Sequence, residues 1–166
     1  MKTTELLIAE TKRRIFEESY ERIYKCLKQL NEDEVWHRPN GNLSSVGNLI
    51  LHVCGNARQW IVSGIGGEMD HRFRDKEFSD RTCCSKWKLK NRMEELKTDI
   101  NKVLDSITED ELHKIRKVQV FEESGLSVLI HVIEHFSYHT GQITWYTKML
   151  KNKDLAYYGN LNPEIS

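Results

Sequence analysis

Four segments of this chain carry apolar residues at helical spacing, and both prolines, Pro39 and Pro163, fall outside them. Successive helical residues turn by about 100°, so positions three and four apart share a face. The first segment runs from about Thr3 to Leu30, with Ile8, Ile15, Phe16, Ser19, Ile23, Cys26, Leu27 and Leu30 on its stripe. The second starts near Ser44 or Ser45, residue types that cap helix N-termini, and runs to about Ser63. Its face is Val46, Leu49, Ile50, Val53, Ala57, Trp60 and Ile61. The third covers about Ser85 to Ile107, with Trp87, Leu89, Met93, Leu96, Ile100, Val103, Leu104 and Ile107 inward. The fourth runs from about Leu126 to Lys151 behind Ser124. Trp60, Trp87 and Trp145 are read as core in preference to a substrate platform. Four long amphipathic helices without a convincing sheet predict an all-α protein, a four-helix bundle.

The connections are polar. Pro39 biases Arg38 toward extended backbone, and Asn40-Gly41-Asn42 is turn chemistry. The charged stretch from Gly66 to about Thr82 reads as a loop of a length that often borders a site. Thr108-Glu109-Asp110-Glu111 is a capping box for one short turn. Residues 113–124 alternate apolar and polar side chains briefly, as an extended connection or a short hairpin does. The tail, 152–166, is expected to be irregular, and 1–166 to form one domain.

Lysine plus arginine equals aspartate plus glutamate at 25 each, so no net positive field holds nucleic acid. No apolar run reaches the roughly 20 residues that span a bilayer. The N-terminal residues lack the apolar core and cleavage site of a signal peptide, and a cytoplasmic protein is the expectation. Cys26, Cys54, Cys83 and Cys84 form no C-x-x-C pair; Cys26 and Cys54 read as buried thiols rather than a disulfide framework.

Chemistry concentrates in the histidines. His131, His135 and His139 recur every four residues on the fourth segment, and His52 lies in the second, one turn before Asn56. His135 and His139 form an H-x-x-x-H pair on one helical face, and His52 can supply a third nitrogen from a facing helix. Imidazole suits zinc, nickel, copper or iron, and three protein ligands leave open positions, as catalytic sites do. The competing explanation is a set of core histidines, each needing its own polar partner. His131 is a fourth ligand, a hydrogen-bond partner behind the ligands, or a residue at the bundle end. Gln142 and Asn56 can each bond a ligand histidine or simply tie neighbouring helices. Gly55 and Gly141 allow close helix approach. His37, His71 and His113 sit in polar surroundings and are expected to be exposed. Metal binding by such histidines weakens as pH falls through the imidazole range near about 6.5.

These residues resemble the DinB/YfiT-like superfamily of metalloenzymes. The resemblance rests on Leu51-His52-Val53 with Gly55-Asn56, and on the stretch from His135 to Ile143 that contains His139, Gly141 and Gln142. It is stronger to one uncharacterised branch with Trp36-His37-Arg38-Pro39, Gly55-Asn56-Ala57-Arg58-Gln59-Trp60 and the stretch from Arg72 to Phe78. The resemblance implies an up-down-down-up four-helix bundle, commonly a homodimer. It also implies a divalent metal, nickel or zinc, held by His52, His135 and His139. Relatives that use bacillithiol or mycothiol imply a low-molecular-weight thiol as partner and S-transfer as reaction. In that reading Arg72 and Arg74 bind an anionic group. The alternatives are a metal-dependent hydrolase, for which no general base stands out, and a non-catalytic metal-binding stress or interaction protein.

Overall fold

The computed structural model describes residues 2–79 and 83–159. The last part of the expected tail, residues 160–166 with Pro163, lies outside the described residues, as does the end of the charged linker, 80–82. Helix α1 (residues 3–29) is α-helical over Thr3–Lys12 and Glu21–Gln29 and π-helical over Arg13–Tyr20. There Ser19 Oγ donates to the Arg14 carbonyl, five residues back, at 2.9 Å. Helix α2 is Glu32–Trp36. Helix α3 (residues 46–63) is α-helical over Val46–Ala57 and π-helical over Arg58–Ser63. Helix α4 is Arg74–Ser79, α5 is Lys86–Ser106 and α6 is Glu109–His113. Strands β1 (Ile115–Val118) and β2 (Phe121–Ser124) form an antiparallel hairpin with Val118 opposite Phe121, and α7 is Gly125–Lys151.

The long helices begin where side-chain caps are available. Ser45 accepts from the Asn48 N–H, Ser85 from Lys88 and Ser124 from Ser127, satisfying backbone donors that the first turn leaves open. Thr108 caps α6 in the same way. Helix α7 stops at Asn152, whose left-handed backbone (φ 45°) is tolerated by asparagine.

Helices α1, α3, α5 and α7 form the bundle. Helix α7 packs against α1 and α3, and α5 packs against the same two helices from the other side. Ile15, Ile23, Leu27, Ile50, Val53, Ile61, Leu89, Met93, Leu96, Ile100, Val128, Val132 and Phe136 lie at the centre. Trp60 is buried as expected. Trp87 and Trp145 are not core residues: they are 66% and 63% exposed. Trp87 sits in the first turn of α5, and Trp145 lies about 120° around α7 from His139. A second departure is α4, a helix inside the stretch expected to be loop.

Two connections are pinned onto α3. The Trp36 ring lies over Gly47, where a Cβ would come within 2.8 Å of it, and Trp36 Nε1 donates to the Cys84 carbonyl at 2.9 Å. Arg38 donates to Asn48 Oδ1 at 2.7 Å and to the Phe78 carbonyl. Asn48 Nδ2 in turn donates to the Glu77 carbonyl at 2.8 Å. The Trp-x-Arg-Pro segment thus holds α4 against the N-terminal half of α3. Gly47→Ala should push Trp36 off its seat and cost about 1–3 kcal/mol, the usual scale of overpacking. Urea denaturation should show a lower midpoint for this variant with an unchanged helical circular-dichroism spectrum.

Candidate metal centre

Helix α3 presents His52 and helix α7 presents His135 and His139 to one point. One ligand-capable atom from each lies within 4.8 Å of the other two. His52 Nε2 and His135 Nε2 are 3.0 Å apart. Nitrogens bound to one ion at about 2.0–2.1 Å stand about 3.0–3.4 Å from each other, so this pair already has the spacing of two ligands. His52 and His139 are buried, and His135 is half-buried.

The reverse side of each ring matters as much. Glu77, on α4, places Oε2 2.9 Å from His52 Nδ1. An ionised carboxylate only accepts, so His52 Nδ1 carries the proton and Nε2 is left as a bare lone pair facing the cluster. Gln142 Oε1 lies 2.7 Å from His139 Nδ1 and sets the same tautomer there. Histidines that bind metals characteristically donate their second N–H to such a partner.

Glu77 is 8% exposed and needs compensation for its charge. Arg72 provides it with two bonds, Nε to Oε1 at 2.8 Å and Nη2 to Oε2 at 2.9 Å. Burial raises the Glu77 carboxyl, but the Arg72 and His52 hydrogen bonds outweigh it and hold the group below the usual carboxylate range. Arg72 Nη1 also donates to Gln59 Oε1 at 2.8 Å. Its Nη2 lies 3.2 Å from His52 Nδ1, but a guanidinium has no lone pair to accept that proton. The anionic partner of Arg72 is therefore the protein's own Glu77, not the substrate group expected from sequence. Arg74 is exposed and lies over the Phe78 ring at 5.2 Å.

Gly55 is what lets Glu77 in. A Cβ at this position would fall 1.9 Å from Glu77 Oε1. The close approach made possible by Gly55 is between α3 and a side chain of α4. At Gly141 a Cβ would meet nothing within 4 Å, so close helix packing does not explain that glycine.

His131 stands one place back. Its ring stacks on Trp60 at 3.7 Å and runs nearly parallel to His135 at 5.5 Å. Asn56 Nδ2 lies 3.3 Å from His131 Nε2. Asn56 thus partners His131 rather than one of the three clustered histidines. His37, His71 and His113 are exposed and away from the cluster; His37 Nδ1 lies 2.9 Å from the Tyr146 hydroxyl. Burial pushes the Cys54 thiol up to about 12, so it stays protonated at neutral pH.

Sequence reasoning missed Glu77. It is 25 residues from His52 in a charged stretch, and no local spacing ties the two together. The one available signal was the Arg72-to-Phe78 stretch itself, which has apolar Phe73 and Phe78 among its charges.

A helical bundle with a three-histidine cluster between two of its helices defines the class. A conserved protein from Enterococcus faecalis has the same fold, with a TM-score of 0.73 and 18% identity over 92% of this chain and 99% of that one. A DinB-like protein from Bacillus subtilis follows at 0.65 and 13%, covering 90% and 94%. Another DinB-like protein, from Bacillus cereus, gives 0.64 and 19%, covering 82% and 88%. The fold is therefore DinB-like. The chain belongs to the family described as protein of unknown function DUF1572, whose model matches residues 4–159. No curated protein matches it.

Burial, followed by the neighbouring rings of His139 and His52, pushes His135 down to about 3. Burial also lowers His139, opposed by the hydrogen bond that its Nδ1 donates to Gln142 Oε1. Proton competition for His135 and His139 therefore sets in below the value of about 6.5 that applies to a free imidazole. The same shifts give the metal-free protein a pH-dependent stability. The unfolded chain takes up these protons near 6.5 and the folded chain does not, so stability is full above that pH and lost as pH falls below it. The urea midpoint of metal-free protein should drop between pH 7.5 and pH 5, with a shallower drop in His135→Ala.

Glu77→Gln should weaken metal binding about 10- to 100-fold, the usual range for losing a ligand's hydrogen-bond partner. Competition with a chromophoric chelator measures this. Equal affinity in the variant would show that Glu77 does not orient His52.

Proposed function

We propose that this protein is a divalent-metal-dependent enzyme in which His52, His135 and His139 hold the ion and a low-molecular-weight thiol is the activated reactant. The observation that carries the reading is the convergence of three imidazoles, two of them with their rear N–H groups engaged by Glu77 and Gln142. A buried core histidine also needs a polar partner, but here the partnered rings turn ligand-capable nitrogens toward one point shared with a third imidazole, as metal ligation requires. The donor set fits the group: three nitrogen ligands suit nickel or zinc and leave coordination positions free. When bound, such an ion supplies a low pKa for a thiol held beside it, producing thiolate at neutral pH.

The chain's own residues do the rest. His52 is fixed by the Glu77–Arg72 pair, and His139 by Gln142. His135, neutral at physiological pH, keeps its lone pair available. Phe78, with its ring 4.5 Å from that of His52, shields one side from water. S-transfer to an electrophile is the reaction favoured over hydrolysis, because Glu77, the carboxylate bonded to the cluster among the described residues, is held by His52 and Arg72 and is not free to activate water. A single-domain homodimer in the cytoplasm is the setting proposed. No helix among the described residues is long and apolar enough to cross a membrane.

His135→Ala and His139→Ala should each abolish stoichiometric metal, measured per chain by elemental analysis alongside circular dichroism. His131→Ala should retain it, because that ring touches Trp60 and Asn56 instead. Metal-loaded protein should consume thiol and a model electrophile such as monochlorobimane, and the His135→Ala protein should not. Folded His135→Ala and His139→Ala proteins at full metal occupancy would rule the site out.

A further inference from the structure

A cleft of about 620 Å³ opens directly beside the histidine cluster, with His139 and Phe78 in its wall. Its volume is that of a small-molecule site. Leu43, Val46, Leu49, Trp145 and Tyr146 supply apolar lining, Asn42, Ser44 and Gln142 uncharged polar groups, and Pro39, on the segment that also positions α4, is part of the wall. No Asp, Glu, Lys or Arg lines it among the described residues, although 30% of the chain is charged. The cleft on the far side of Glu77, about 590 Å³, is the opposite: Arg58, Glu68, Asp70, Lys76, Arg92 and Glu95 all border it.

Helix α7 builds the open wall. Tyr138 and Trp145, seven residues apart, lie within about 20° of each other around the helix, and both are 63% exposed. Gly141 sits between them and leaves free space where any other residue would project. Exposed aromatic rings are costly to leave in water, and here they flank a glycine gap beside the candidate ion position.

We infer that this cleft is the binding subsite for an uncharged aromatic or alkyl substrate, whose donor or electrophilic atom reaches the histidine cluster past His139 and Phe78. The inference rests on the enzyme reading above and names its substrate class. A molecule bearing carboxylates or an ammonium group would leave those charges desolvated and unpaired against this wall, which is strongly unfavourable. The cleft therefore selects an apolar reactant, thiol or electrophile, over a charged one.

The test uses cobalt-loaded protein, whose thiolate charge-transfer absorption reports thiols at the ion. Phenylmethanethiol should bind at least tenfold more tightly than mercaptosuccinate. Gly141→Leu projects into the gap, where an added Cβ meets nothing within 4 Å, and should weaken phenylmethanethiol at least tenfold while leaving 2-mercaptoethanol unchanged. Equal affinities for the two thiols, or no effect of Gly141→Leu, would overturn the subsite and leave the metal reading standing. If the protein takes up no cobalt, the enzyme reading fails instead. The cleft is then decided by ligand-observed NMR of benzyl alcohol with metal-free protein. Contact in the wild type that is lost in Gly141→Leu supports it. No contact, as when a second copy of the chain covers the cleft, or contact unchanged by Gly141→Leu, overturns it.

Discussion

The site depends on one buried carboxylate. Glu77 lies between Arg72 and His52, bonded to both, with almost no access to solvent. A buried ion pair contributes little net stability, since desolvation offsets much of the attraction, but removing one partner is costly. Its value here is directional: Arg72 keeps Glu77 ionised, Glu77 determines which nitrogen of His52 bears the proton, and the other nitrogen is left facing His135. Several features with no chemistry of their own become explicable from this. Gly55 makes room for the carboxylate, Asn48 holds the Glu77 backbone, and Arg38 holds Asn48 and the Phe78 carbonyl.

The two sides of the cluster are electrostatically unlike. Toward α4 and α5 the surface is dense with charged side chains, and Arg72 and Glu77 are committed to each other. Toward α7 and Pro39 the surface is apolar and aromatic. This asymmetry follows from where α4 docks: Glu77 and Phe78 both meet His52, but Glu77 borders the charged cleft and Phe78 the apolar one. One short helix thus contributes an orienting charge and an apolar wall through adjacent residues.

Much of the fold was legible because it is local. Ser45, Ser85, Thr108 and Ser124 start helices by bonding N–H groups three residues on, a pattern visible in any sequence. The Gln142–His139 bond was within reach for the same reason, since residues three apart on a helix are neighbours. The π-helical turns were not, because the apolar stripe looks the same at a period of 3.6 or slightly more. Trp87 and Trp145 were misplaced because an aromatic at roughly helical spacing looks like core until the neighbouring helices show which side is covered. In α7 the apolar residues make two stripes, one facing the bundle and one facing the cleft.

The sequence by itself determined the four long helices, the serine caps of three of them, and the shared face of His135 and His139, because backbone hydrogen bonding and side-chain periodicity act over a few residues. Tertiary structure decided which nitrogen of His52 faces the cluster, that Arg72 serves Glu77, and that His131 stacks on Trp60. These contacts join residues on different elements, and their geometry is set by how the elements pack. A carboxylate in a charged stretch looks solvated in sequence; only when α4 closes over Gly55 does burial make it a partner for histidine.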